Sequence, residues 1–209
     1  MIQPGSSTMR TWLQWCLRAV EFLAAGLYGF VILERCNQDG IWAVWGWVTA
    51  HGVFFFIGVL ALTCAYGFVR AFFKRPFVPF ALYGGLICFA GLGHYYKLYY
   101  RTEPLVPHDV FNAGPAFAIA GRTGLFLNRG LLLNFLLYAV CLLVAWLIPK
   151  YLYQPIKGRF AAVRVALVAL ASAAFLIFLA NIPTLEAFGA VDMRYDQYQN
   201  YQYNGFVLS

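Results

Sequence analysis

Charge is what this sequence has least of. Of its 209 residues 11% are charged, 62% are hydrophobic and 3 are histidine, whereas a soluble domain carries about 25% charged residues. With a mean hydropathy of +0.68, that shortage excludes a soluble globular enzyme and places the chain among integral membrane proteins. Catalytic patterns are missing as well. The sequence has no Gly-x-Ser-x-Gly elbow, no Gly-rich phosphate loop, no paired carboxylates in one extramembrane domain and no His-rich ligand set on a helix. Its 5 cysteines form no framework: Cys16, Cys64, Cys88 and Cys141 fall in apolar runs as small core-filling residues, and Cys36 stands alone in a loop as an unpaired thiol. After the first apolar run, Glu34-Arg35-Cys36 offers no small residue for signal cleavage or lipoprotein processing, so that run is expected to stay as a signal anchor.

What the chain does have is long apolar runs. About 20 such residues cross a bilayer core of about 30 Å, and five blocks meet that test: 12–33, 42–69, 77–96, 131–148 and 160–182. Nothing alternates as a barrel strand does, so the expected fold is all-α, a polytopic bundle of five transmembrane helices. The second block is long enough to tilt or to begin in the interface. Trp12 and Trp15 at the first helix, Trp42, Trp45 and Trp47 at the second, and Tyr95, Tyr96, Tyr99 and Tyr100 closing the third sit where amphipathic rings meet head groups.

Charge placement orients the bundle. Arg10, Arg18, Arg70, Lys74, Arg75, Lys150, Lys157, Arg159 and Arg164 share one side with a single acid, Glu21; the other side has six bases and seven acids. The positive-inside rule then puts the N-terminus inside and the C-terminus outside. The same division accounts for the net charge of +7. Basic juxtamembrane turns attract anionic lipid, and no nucleic-acid partner is implied.

Between the third and fourth helices lies the one long non-spanning segment, Lys97 to Gly130. Pro104 and Pro107 hold its start extended, and Asp109 stands as an N-cap. The stretch from Val110 to Leu127, with Gly114, Pro115, Gly121 and Gly124 inside, is expected to lie in the outer interface or to re-enter rather than to span. His94, Lys97, Arg101, Glu103, His108 and Asp109 cluster here, and two readings stand. In one, Lys97, Arg101 and His94 hold a lipid phosphate. In the other, Lys97 and Arg101 snorkel, Glu103 pairs with one of them and Asp109 caps a helix. A metal site from His94, Glu103, His108 and Asp109 matches no spacing signature.

Within the bilayer Arg18 and Glu21 are spaced to neutralise each other, His51 is expected to bond a neighbouring helix or to relay protons, and Asn134 and Asn181 to join helices. Gly84-Gly85, Gly91 and Gly93 mark close helix contact.

Two stretches carry a resemblance. His94-Tyr-Tyr-Lys-Leu-Tyr-Tyr-Arg-Thr-Glu-Pro-Leu-Val-Pro-His-Asp109, with its basic residue, Glu103-Pro104 pair and Pro107-x-Asp109, resembles the segment after the third helix of lipoteichoic acid synthase-like phosphoglycerol transferases. The tail Tyr198 to Phe206, ending Tyr203-Asn204-Gly205-Phe206, resembles that family's connector after the fifth helix. The resemblance implies an extracytoplasmic, sulfatase-like domain that holds a divalent metal, usually manganese, and a catalytic threonine. That domain would move glycerol phosphate from phosphatidylglycerol to a glycan or teichoic-acid-type polymer. Residues 1–183 would then be the membrane anchor and 184–209 the connector to a catalytic domain not in this chain, with no cofactor and no catalytic residue of its own. A self-contained assembly factor or partner subunit, and a small transporter, are the other classes open to such a sequence.

Overall fold

The computed structural model describes residues 5–38, 40–73, 75–101, 103–105, 109, 128–147, 161–179 and 197–207. It is all-helical over them: α1 is Gly5–Asn37, α2 Ile41–Ala50, α3 Gly52–Ala71, α4 Phe77–Arg101, α5 Arg129–Leu147, α6 Ala161–Leu179 and α7 Gln197–Asn204. Four helices among the described residues are long and apolar enough to cross a membrane: Trp12–Asn37 of α1, and α3, α4 and α5. α6 covers the fifth expected block, with the apolar run Val168–Phe178. The interfacial stretch 110–127, His108, Asn181 and the start of the connector at 184–196 lie outside the described residues.

Three boundaries differ from the sequence reading, each for a physical reason. The second block is not one helix. It breaks at His51, whose backbone at φ −124°, ψ 47° is not helical, so the tryptophan-rich half becomes the separate helix α2. The first helix does not stop at Leu33 but continues to Asn37, because Glu34 and Asn37 turn inward and find hydrogen-bond partners in the protein. Cys36 is accordingly buried in the last turn of α1 rather than alone in a loop. The third helix runs on to Arg101; at about 1.5 Å per residue its 25 residues reach about 37 Å, beyond a hydrocarbon core of about 30 Å, which carries the tyrosine cluster to head-group depth. α5 begins where expected because Asn128 caps it, its Oδ1 accepting the Leu131 N–H at 2.8 Å.

α1 packs between α3 and α4, α6 lies against α3 and α5 against α4. The interior is aromatic, and its hydroxyls are spent on neighbouring helices, as a low-dielectric surround requires. Tyr28 donates to the Gly84 carbonyl at 3.3 Å and lies 3.0 Å from Cys88 Sγ. Tyr83 donates to the Ala25 carbonyl at 3.3 Å and Tyr138 to the Ala81 carbonyl at 2.9 Å. Large apolar side chains such as Leu23, Phe56, Leu60, Leu86, Phe89, Leu136 and Leu143 face outward, a girdle suited to lipid rather than water.

At the end of the bundle where α3 stops, Glu21 Oε1 accepts from Arg70 Nε at 2.7 Å and from the Tyr66 hydroxyl at 2.5 Å. The partner Glu21 takes here comes from α3, not from the neighbouring turn that holds Arg18. Arg70 also donates to the Phe73 carbonyl, closing the C-terminus of α3.

Gly84 and Gly91 of α4 mark close approach, whereas Gly93 has only ordinary contact, with Leu105 at 3.8 Å. A Cβ on Gly84 would stand 2.9 Å from Tyr138 Cε2, and one on Gly91 3.1 Å from Cys36 Sγ. Gly46 of α2 has nothing within 4 Å of the same position. Gly84→Val is therefore expected to wedge α4 from α5 and to cost about 1–3 kcal/mol of stability. Gly46→Ala should be neutral or stabilising by up to about 1 kcal/mol. Thermal unfolding in detergent, followed by intrinsic fluorescence, compares the two.

Candidate functional site

The two stretches that carry the family resemblance meet at the end of the bundle opposite Arg70. Their meeting point is Glu34, a carboxylate with no exposed surface. Its Oε1 accepts the backbone N–H of Phe206 at 2.6 Å, and its Oε2 accepts Asn37 Nδ2 at 3.1 Å. Asn37 lies one helical turn on, so both side chains share a face of α1. Asn37 Oδ1 faces His94 Nε2 at 3.4 Å, and His94 Nδ1 accepts the Leu105 N–H at 3.1 Å. An Nδ1 that accepts carries no proton, so Nε2 is the donor. The result is a directed chain, Leu105 to His94 to Asn37 to Glu34, with Phe206 joining at the carboxylate.

Packing closes around this chain. The Phe206 ring stands edge-on to the His94 ring, centroids 4.6 Å apart. Trp47 Nε1 donates to the Gln202 carbonyl at 3.0 Å, and Gln202 Nε2 donates to the Asn37 carbonyl at 3.1 Å. Tyr203 stands edge-on to His51 at 5.1 Å, and Trp47 stacks on the same ring at 5.1 Å. The broken second block thus has a use: it turns Trp47 and His51 toward the tail. Asn204 is buried and bonded to Asn200 within α7.

Gly205 completes the turn. Its φ of 80° is in the left-handed region, and a Cβ there would stand 2.7 Å from Glu34 Oε1 and 2.9 Å from Trp47 Cζ2. Only glycine gives both the conformation and the approach.

The candidate residues of the interfacial segment separate into two sets. His94, expected to face a lipid phosphate, is fully buried with both ring nitrogens engaged, so it has no surface on which to meet a headgroup. Pro104 is also fully buried, beneath the same junction. Lys97 Nζ lies 2.7 Å from Asp109 Oδ2 and 3.8 Å from Glu103 Oε2; Asp109, expected as a helix cap, is its close partner, while Glu103 is mostly exposed. Arg101 ends α4 at the surface. Tyr95 stacks on Tyr99 and Tyr96 on Tyr100 one turn apart.

Three residues named for other roles are placed as follows. Asn134 joins α5 to α1, its Nδ2 donating to Cys36 Sγ at 3.3 Å. His51 lies against Trp47, with Nδ1 3.3 Å from the Trp47 carbonyl. Neither is hydrogen-bonded to Gly84-Gly85, where Tyr138 fills the space beside the glycines. Among the described residues no group of three or more His, Cys, Asp or Glu could hold a metal ion.

Sequence reasoning named both ends of this junction and missed its centre. Glu34, Asn37, Trp47 and Gln202 were not candidates, and the available signal was the Glu34-x-x-Asn37 spacing. An ionisable residue in an apolar helix marks a function or a partner. Comparison with protein families, with curated proteins and with solved structures finds no match to this chain.

Removing the acceptor from a buried N–H costs about 1–3 kcal/mol, enough to release the tail while the bundle persists. Glu34→Ala and Gly205→Ala should each raise the rate of chymotrypsin cleavage after Tyr203 and Phe206 at least about fivefold. Gly46→Ala should not. Mass spectrometry of the digests locates the cuts; equal cleavage in all three variants would mean that the tail is not held at Glu34.

Proposed function

We propose that this chain is the membrane anchor of a cell-envelope phosphoglycerol transferase, a domain that fixes an extracytoplasmic catalytic unit close to its phospholipid donor. The observation that carries the reading is the junction itself. The stretch after the third apolar block and the Tyr203-Asn204-Gly205-Phe206 tail, which separately resemble that family, pack against each other through His94, Phe206 and Glu34. A tail held by a buried carboxylate and a left-handed glycine leaves the bundle at one place and in one direction, which an anchor needs and a flexible tether does not provide.

In this reading α6 is the fifth span, the N-terminus is cytoplasmic, and the tail end of the bundle faces outward in a bacterial cytoplasmic membrane. The basic turn at Arg70 and Arg75 and the nine-to-six division of basic residues support that orientation. Chemistry resides in the following domain, with its divalent metal and threonine. The anchor contributes by confinement, which raises the effective concentration of a lipid donor and fixes its approach. Lys97 and Arg101, with Tyr95, Tyr96, Tyr99 and Tyr100 beside them, form the basic aromatic rim that meets phosphatidylglycerol.

The source gene read past codon 209 should continue into a metal-binding, threonine-bearing hydrolase-like domain; a stop codon there would leave a self-contained membrane subunit whose partner must be sought by pull-down. In the full-length enzyme, reversing the charges of Lys97 and Arg101 should raise the lipid concentration needed for half-maximal turnover. Unchanged turnover at limiting lipid would remove both from the mechanism.

A further inference from the structure

Beside the junction, on the other face of the end of α1, lies a cavity of about 270 Å³ lined by Arg35, Gln38, Tyr95, Asn128, Gly130 and Asn134 among others. It is several times the ~30 Å³ that a water takes in the liquid. One of its lining residues, Arg35, is a cation with no counter-ion within ion-pair distance among the described residues, in contrast to Arg70 and Lys97. Its one hydrogen bond is a long one, from Nη2 to the Gly130 carbonyl at 3.4 Å, and its Nε is buried with no partner.

The rest of the lining mixes polar side chains with Cys36, Leu131 and two glycines. Asn128 is held by two bonds, with Oδ1 on the Leu131 N–H and Nδ2 donating to the Tyr95 hydroxyl at 2.6 Å. Asn134 is buried, its Nδ2 is bonded to Cys36 and its Oδ1 has no partner. No acid lines the cavity among the described residues. A guanidinium partly withdrawn from water, with an unused N–H and no carboxylate beside it among the described residues, is costly unless an anion completes it. A planar fork of donors matches the paired oxygens of a phosphate better than it matches a spherical halide. The unused Asn134 Oδ1 supplies an acceptor for a hydroxyl on the same ligand.

We infer that Arg35 and this cavity form a phosphate-binding site, taking an anionic phosphate group borne either by a phospholipid headgroup at the membrane surface or by a free phosphate. Arg35 supplies the charge, and the Asn134 carbonyl oxygen receives a hydroxyl proton where the ligand has one. The site shares Tyr95 with the aromatic rim but uses neither Lys97 nor Arg101 and requires no following domain, so it stands or falls apart from the anchor reading.

The test is thermal unfolding of the purified full chain in a neutral maltoside detergent, titrated with dioctanoyl phosphatidylglycerol, dioctanoyl phosphatidylcholine or inorganic phosphate. Saturable stabilisation by the anionic lipid and not by phosphatidylcholine is expected. Arg35→Gln should weaken its apparent affinity by about tenfold or more, the scale of one charge-assisted contact. Arg75→Gln, which removes the same charge from an exposed position at the other end, should leave it unchanged. Stabilisation by inorganic phosphate that is lost in Arg35→Gln would assign the site to free phosphate instead of a headgroup, within the same chemistry. Equal stabilisation by both lipids, or an Arg35→Gln response equal to that of Arg75→Gln, overturns the site. Should Arg35→Gln fail to fold, Arg35→Lys keeps the charge but not the fork. Native mass spectrometry of lipid retained by the wild type then decides, since retention without preference for anionic headgroups excludes the site.

Discussion

The hydrogen bond from the Phe206 backbone to the buried Glu34 carboxylate organises one end of this protein. A carboxylate without exposed surface must be supplied with donors from within the chain, because neither lipid nor a closed interior offers them. Meeting that demand brings together the last turn of α1, the last turns of α4, the extended residues 103–105 and the tail. Asn37 takes one oxygen and passes the link to His94, which in turn holds the Leu105 backbone. Gly205 lets the tail approach closely enough for the Phe206 N–H to reach the other. Remove the acceptor and the Phe206 N–H and the Asn37 amide each lose a partner, while His94 and Leu105 are left joined only through Asn37.

The other end is built on the same logic with a different solution. There Glu21 meets Arg70, so charge is compensated by charge, and Tyr66 adds a short hydroxyl contact. Glu21 and Glu34 are thirteen residues apart on α1, about 20 Å along the axis. Between them the interior is joined by tyrosine hydroxyls on helix carbonyls. A bundle pinned at both ends in this way is a stiff platform. For the anchor proposed above, such a platform would let the fold, rather than a linker, set where the chain leaves the bundle.

The helical class and the apolar blocks were legible because length and hydropathy suffice for them. α5 and α6 lie close to where the apolar runs placed them. The tryptophans of the second block were read as interfacial, but the break at His51 was not, since a continuous apolar run looks the same whether or not one residue leaves the helix. The end of α1 was misplaced for an instructive reason. A length test stops at the first charge, whereas Glu34 faces inward and meets its partners 172 residues away in sequence. The same long-range bond explains why His94 looked like a surface ligand from its basic, tyrosine-rich neighbours and is in fact enclosed. The Gly84-Gly85 pair was legible as close contact, and Tyr138 was the part that only the fold supplies.

Amide hydrogen exchange at Phe206 and Leu105, measured on the intact chain in nanodiscs, tests the junction most directly. If the tail is latched on Glu34, both amides are protected well beyond the other residues of the tail, and Glu34→Ala exposes Phe206 and weakens Leu105 together. Exchange at Phe206 in the wild type at the rate of an open peptide would contradict a latched tail, and with it the anchor built on that latch.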